Sequence, residues 1–140
     1  MSIPLGVKLI LCDAASADGS GKLSMLGAGW SITGSPTAQQ AVAVMIRIPW
    51  ERANEKIPFS LQLLDPEGEL VELATLEGTP IPLRQDGEIE VGRPPGLPAG
   101  TSLAASVALN VSPMPLAPGT YTWRLQIGDQ TEVESFLVRG

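Results

Sequence analysis

The segment Leu116-Ala117-Pro118-Gly119-Thr120-Tyr121-Thr122-Trp123-Arg124-Leu125-Gln126-Ile127 leaves this chain few folds to choose from. A Pro-Gly turn feeds a run in which Tyr121, Trp123, Leu125 and Ile127 recur at every second position, so all four share one face of a strand. The Leu-x-Pro-Gly-x-Tyr spacing suits a tyrosine corner, in which the phenol bonds back to the backbone just upstream. Gly128-Asp129-Gln130 then separates this strand from Thr131 to Val138, which predicts a closing hairpin.

The same punctuation runs through the chain, whose 13 prolines and 15 glycines divide short apolar runs. Val7 to Asp13 and Lys22 to Gly27, joined by Ala17-Asp18-Gly19-Ser20-Gly21, read as an opening hairpin. Ala41 to Trp50 places Val42, Val44, Ile46, Ile48 and Trp50 on one face and Ala41, Ala43, Met45 and Arg47 on the other. A helix from Ala38-Gln39-Gln40 competes, but the density of β-branched residues and Pro49 favour a strand. Phe59 to Leu63 and Glu69 to Leu73 flank Asp65-Pro66-Glu67-Gly68, a tight turn with proline at its second position. Arg84 to Val91 is polar and suits a sheet edge, where charge discourages pairing with a second edge. It runs into Gly92-Arg93-Pro94-Pro95-Gly96-Leu97-Pro98-Ala99-Gly100, an exposed loop by composition. Ser102 to Val111 sets Leu103, Ala105, Val107, Leu109 and Val111 against the smaller Ala104, Ser106, Ala108 and Asn110. The expected architecture is one all-β domain over residues 1–140, an antiparallel two-layer sandwich of about eight strands. Small-residue faces lying side by side would make a flat panel for another copy, or for the chain's own loop or terminus, to cover.

Composition narrows the function. A chain of 140 residues is long enough to bury a full core without staples, and Cys12, its single cysteine, has no intramolecular partner, which makes a reducing cytoplasm the simplest home. Leu9-Ile10-Leu11 is far shorter than the apolar stretch of a signal peptide, and no apolar run approaches a membrane span. Net charge is −6 and no window gathers a Lys/Arg stripe, so nucleic acid is not the expected partner. Charged residues make up 17% of the chain and mean hydropathy is +0.17, which predicts apolar surface left for protein contact, self-association included.

The chain contains no histidine, so Ser-His-Asp and Cys-His nucleophiles and the commonest zinc and iron ligand sets are excluded. Asp13, Asp18, Glu51 and Glu55 are formal acid-base candidates, but they stand beside turns and strand ends, where acids are ordinarily solvated. Asp65, Glu67 and Glu69 alternate three oxygen ligands around a turn without the closing ligands a calcium site needs. Gly27-x-Gly29-Trp30 lacks both a third glycine at phosphate-loop spacing and a following helix. The reading is therefore non-enzymatic, with no catalytic, cofactor or metal residues assigned. Trp123 is read as core. Trp30 and Trp50 end strands and are candidate contact residues, with Arg52 and Asn54 beside them, for a protein or alternatively for a glycan or small ligand. Arg93, Pro94, Pro95 and Leu97 form a second candidate surface, extended and stiff, for which a plain crossover between sheets is the simpler account. Asn110-Val111-Ser112 matches a glycosylation acceptor only in form, and Cys12, alternating with Ile10, reads as a buried small hydrophobe.

Leu11-Cys12-Asp13-Ala14-Ala15, Gly21-Lys22-Leu23, Leu26-Gly27-Ala28-Gly29-Trp30, Ile48-Pro49-Trp50 with Asn54, Gly92 to Pro98 and Pro118-Gly119-Thr120-Tyr121 together resemble a family of small uncharacterised bacterial proteins over nearly the whole chain. That resemblance implies a compact β domain and supplies no catalytic residue. The closing hairpin is similar to immunoglobulin-like sandwiches, with Trp123 standing where an antibody-type domain has its second cysteine, so the inter-sheet disulfide is missing.

Overall fold

Strand β5 (Gln40–Ile48) organises the molecule. Its Val42, Val44, Ile46 and Ile48 point inward by period-two alternation and are buried. A computed structural model describes residues 3–140, and the chain is all-β, with no α-helix among them. β5 is the middle strand of a three-stranded sheet, between β1 (Gly6–Cys12) and β10 (Leu103–Val111), both antiparallel to it. A five-stranded sheet runs in the order β4 (Ile32–Thr33), β12 (Gln130–Val138), β11 (Gly119–Ile127), β6 (Ile57–Leu64), β9 (Arg84–Ile89). One buried cluster takes members from both sheets, including Val44 and Ile46 from the first and Leu61, Trp123, Leu125 and Phe136 from the second.

The closing hairpin forms as expected, with β11 and β12 in register from Gly119↔Val138 to Ile127↔Gln130. Tyr121, Trp123, Leu125 and Ile127 are all buried. The tyrosine corner closes too: the Tyr121 hydroxyl donates to the Ala117 carbonyl over 2.8 Å. Asp65 to Gly68 turns the chain after β6, and the Asp65 carboxylate accepts the N–H groups of Glu67 and Glu69, each over 2.9 Å. β9 is an outer strand of its sheet, as its charge pattern predicts.

Three expectations change. Among the described residues there are twelve strands, not about eight, because β2 (Ala14–Ala17), β4 and β8 (Ile81–Pro82, paired with β7, Glu72–Leu73) are segments of two to four residues with no readable period. Pairing is not wholly antiparallel, since β4 lies parallel to β12. The opening hairpin does not join β1 to β3 (Leu23–Leu26). β1 stays in its sheet, the chain bends at Asp13, and β2 pairs with β3 instead.

That hairpin covers part of the small-residue panel. Cys12, Ala41 and Ala43 are fully buried beneath Ala15, Leu23 and Met25. The Asn110 side chain accepts the Ala15 N–H over 3.0 Å and donates to the Ala15 carbonyl over 2.9 Å, as a neighbouring strand would. The burial of β5 records where the cover stops: Gln40 to Val44 is buried on both faces, whereas Met45 and Arg47 are exposed.

Candidate interaction site

The candidate residues divide between the two ends of β5. Beyond its C-terminal end, Pro49 leads into a single 3-10 turn, Trp50–Arg52, so Trp50 leaves the strand. The Arg93 guanidinium lies 4.5 Å from the centre of the Trp50 ring and donates to the Trp50 carbonyl, 2.6 Å from Nη2 and 3.2 Å from Nε. Cation–π attraction and a charge-assisted hydrogen bond thus fix the root of the Gly92–Gly100 loop. Asn54, left-handed at φ 62, donates its N–H to the Val91 carbonyl over 2.7 Å and ties the same turn to the segment that follows β9. Pro94, Pro95 and Leu97 project beyond this anchor and are exposed.

Arg52 points inward instead. Its side chain is only 7% exposed, forms a two-pronged pair with Glu55 at 2.9 Å and donates to the Ile3 carbonyl over 3.1 Å. The Glu55 hydrogen bonds raise the guanidinium pKa, while the pairing holds the Glu55 carboxyl below its ordinary range. Arg52 is a brace between the turn and the N-terminal segment.

Trp30 belongs to the other end. Its indole N–H donates to the Cys12 carbonyl over 3.0 Å and its ring meets Phe136 edge-on at 5.2 Å between centroids. Both Trp30 and Trp50 are half-buried, and they form no row. Trp123 is fully buried, with its N–H directed to the Gln40 side-chain oxygen at 3.2 Å.

Between the two sheets lies an open cleft of about 610 Å³. The last residues of β9 and those that follow, Glu88 to Gly92, form one wall, and Leu103 to Ser106 of β10 and the hairpin turn Asp18 to Gly21 form the other. β9 and β10 are outer strands of different sheets, so two strand edges flank the same space. The lining carries Asp18, Glu88 and Glu90 and no Lys or Arg. Hydrogen bonds from the Ser20 hydroxyl, the Lys22 N–H and the Ser20 N–H keep the Asp18 carboxyl below its ordinary range.

Of the other formal candidates, Asp13 and Asp18 stand at opposite ends of β2, and Glu51 belongs to the turn with Arg52. No group of three His, Cys, Asp or Glu able to hold a metal occurs among the described residues. Cys12 is a free buried thiol, its pKa raised by burial and by Asp13. No helix among the described residues is long and apolar enough to cross a membrane. Sequence reasoning placed β9 at an edge but missed its neighbour across the cleft, because opposition between strands of different sheets leaves no local pattern.

No curated protein matches the chain. A family model described as a family of unknown function (DUF6941) matches residues 8–137, and the chain belongs to that family.

Proposed function

We propose that this protein is a non-enzymatic interaction module, an immunoglobulin-like two-layer sandwich whose partner engages the cleft between β9 and β10. The observation that carries this reading is the cleft itself, where outer strands of both sheets border one acidic space. A second copy docking on the small-residue panel is disfavoured, because the β2–β3 hairpin already occupies its Ala41 and Ala43 end. A sugar platform is disfavoured by the separation of Trp30 from Trp50 and by Arg93 over the Trp50 ring. Hydrogen bonds that keep Asp18 and Glu55 ionised suit surface anchoring better than general acid work near neutral pH. In this reading the module works in a bacterial cytoplasm, where a lone buried thiol such as Cys12 needs no disulfide partner.

A photoreactive side chain at Pro94, an exposed residue of the cleft lining, compared with one at the exposed Leu26 of the hairpin, tests the reading in the native cell. The expected result is a crosslinked second polypeptide from position 94 and none from position 26. Crosslinks from 26 alone, or from neither, would overturn it.

A further inference from the structure

Resting on that reading of the cleft, we infer that its occupant is an extended segment of a partner protein, with Lys or Arg at alternate positions, that pairs as an added strand on β9. The direction of the free backbone groups follows from the bonds of β6. At one end the Gly128 N–H reaches the Pro58 carbonyl, so Pro58 turns its backbone toward β11. At the other end the Leu63 N–H reaches the Leu83 carbonyl. Odd-numbered residues of β6 therefore bond β9, through the pairs Ile57↔Ile89, Phe59↔Gly87 and Leu61↔Gln85. The N–H and C=O groups of Arg84, Asp86 and Glu88 are left facing away from the sheet, a donor and an acceptor at every second residue, the template used in strand addition.

Charge selects which strand fits. The residues with outward backbone groups also carry charged side chains, and Arg84 is consumed by its 2.9 Å pair with Asp86. Glu88 and Glu90, with Asp18 across the cleft, have no cation among the lining residues. A second copy of β9 in parallel register, or antiparallel about Glu88, would bring like charges together, whereas a strand bearing cations at alternate positions meets the carboxylates side by side. The cleft thus rejects its own copy and accepts a basic strand with one set of groups.

The test uses a labelled nine-residue peptide alternating Lys and Val, with Ser-Val and Glu-Val counterparts, against the whole protein. Binding is read by fluorescence anisotropy and the contact site by residue-resolved amide exchange. The Lys peptide is expected to bind at least tenfold more tightly than the Ser peptide at low salt, to weaken as salt rises, and to slow exchange at Arg84, Asp86 and Glu88. Glu88→Lys with Glu90→Lys is expected to move the preference to the Glu peptide. Equal binding of the Lys and Ser peptides, or Lys-peptide binding without slowing at those amides, overturns the inference. If the Ser peptide binds equally and slows the same amides, the cleft remains an interaction site and only the basic partner is wrong; absence of crosslinks from position 94 removes the site itself.

Discussion

The outer face of the three-stranded sheet and the outer edge of β9 present the same problem, a sheet surface that a neighbour can join, and the chain treats them in opposite ways. On the face, small side chains admit a roof: Cys12, Ala41 and Ala43 let the β2–β3 hairpin close down, and Asn110 supplies the bonds a neighbouring strand would give Ala15. On the edge no segment among the described residues closes down, and charged side chains accompany the outward backbone groups. β12 shows the protective use of charge, with Glu132 and Glu134 in the same register positions as the inward Leu125 and Trp123, a recognised way to block a strand edge. β9 keeps its acids in the outward register and places Gln85, Gly87 and Ile89 inward. Small side chains let the chain cover the face itself, and charged ones line the edge that stays uncovered among the described residues.

The largest expected effect strikes the roof. Gly21 has φ +86, and a Cβ there would lie 2.6 Å from the Ala104 carbonyl oxygen, so Gly21→Val should cost about 2–3 kcal/mol through strain and lost hairpin contact. Gly19 meets nothing within 4 Å, and Gly19→Val in the same turn should stay within about 0.5 kcal/mol. Equal losses in urea denaturation would mean that the hairpin is not held by that approach. Next, Tyr121→Phe should cost about 1–2 kcal/mol by stranding the Ala117 carbonyl, and an unchanged denaturation midpoint would reject the corner bond.

Asn110→Ala should cost about 1 kcal/mol and, more specifically, speed amide exchange at Ala15 while leaving β11 and β12 unchanged. The smallest effect is in acid. Glu55, Asp18 and Asp86 have folded pKa values below their ordinary 4.5, 3.8 and 3.8, so each contributes stability that is present above the ordinary value and lost as pH falls through the lowered one. Glu55→Gln should therefore lower the melting temperature slightly at pH 7 and leave it unchanged in strong acid, which flattens the decline below pH 4.5. A decline of unchanged slope would show that the Arg52–Glu55 pair adds nothing there.

Much of the frame was legible because a strand buried on one face writes its period into the chain. β11 alternates apolar and polar residues along its length, β5 and β10 set large side chains against smaller ones, and the Pro-Gly-x-Tyr corner has its own spacing. The strands that went unread are too short to show a period, as with Ile32–Thr33, or are cut by a bend no residue announces, as at Asp13. For the site, Trp50 and Asn54 are neighbours in sequence, but the meeting of Arg93 with Trp50 joins two surfaces read as separate, and the inward turn of Arg52 depends on Ile3, far off in sequence. Phe59 over Gly87, where a Cβ would lie 2.6 Å from the ring, is likewise a pairing that register alone creates.

Residue-resolved amide exchange on the free protein tests the central contrast most directly. The account predicts fast exchange at Arg84, Asp86 and Glu88, slow exchange at Gln85, Gly87 and Ile89, and protection of Ala15 under its Asn110 bond. Uniform slow exchange along β9, or an unprotected Ala15, would show that the edge is already covered or the roof is not closed, and would contradict it.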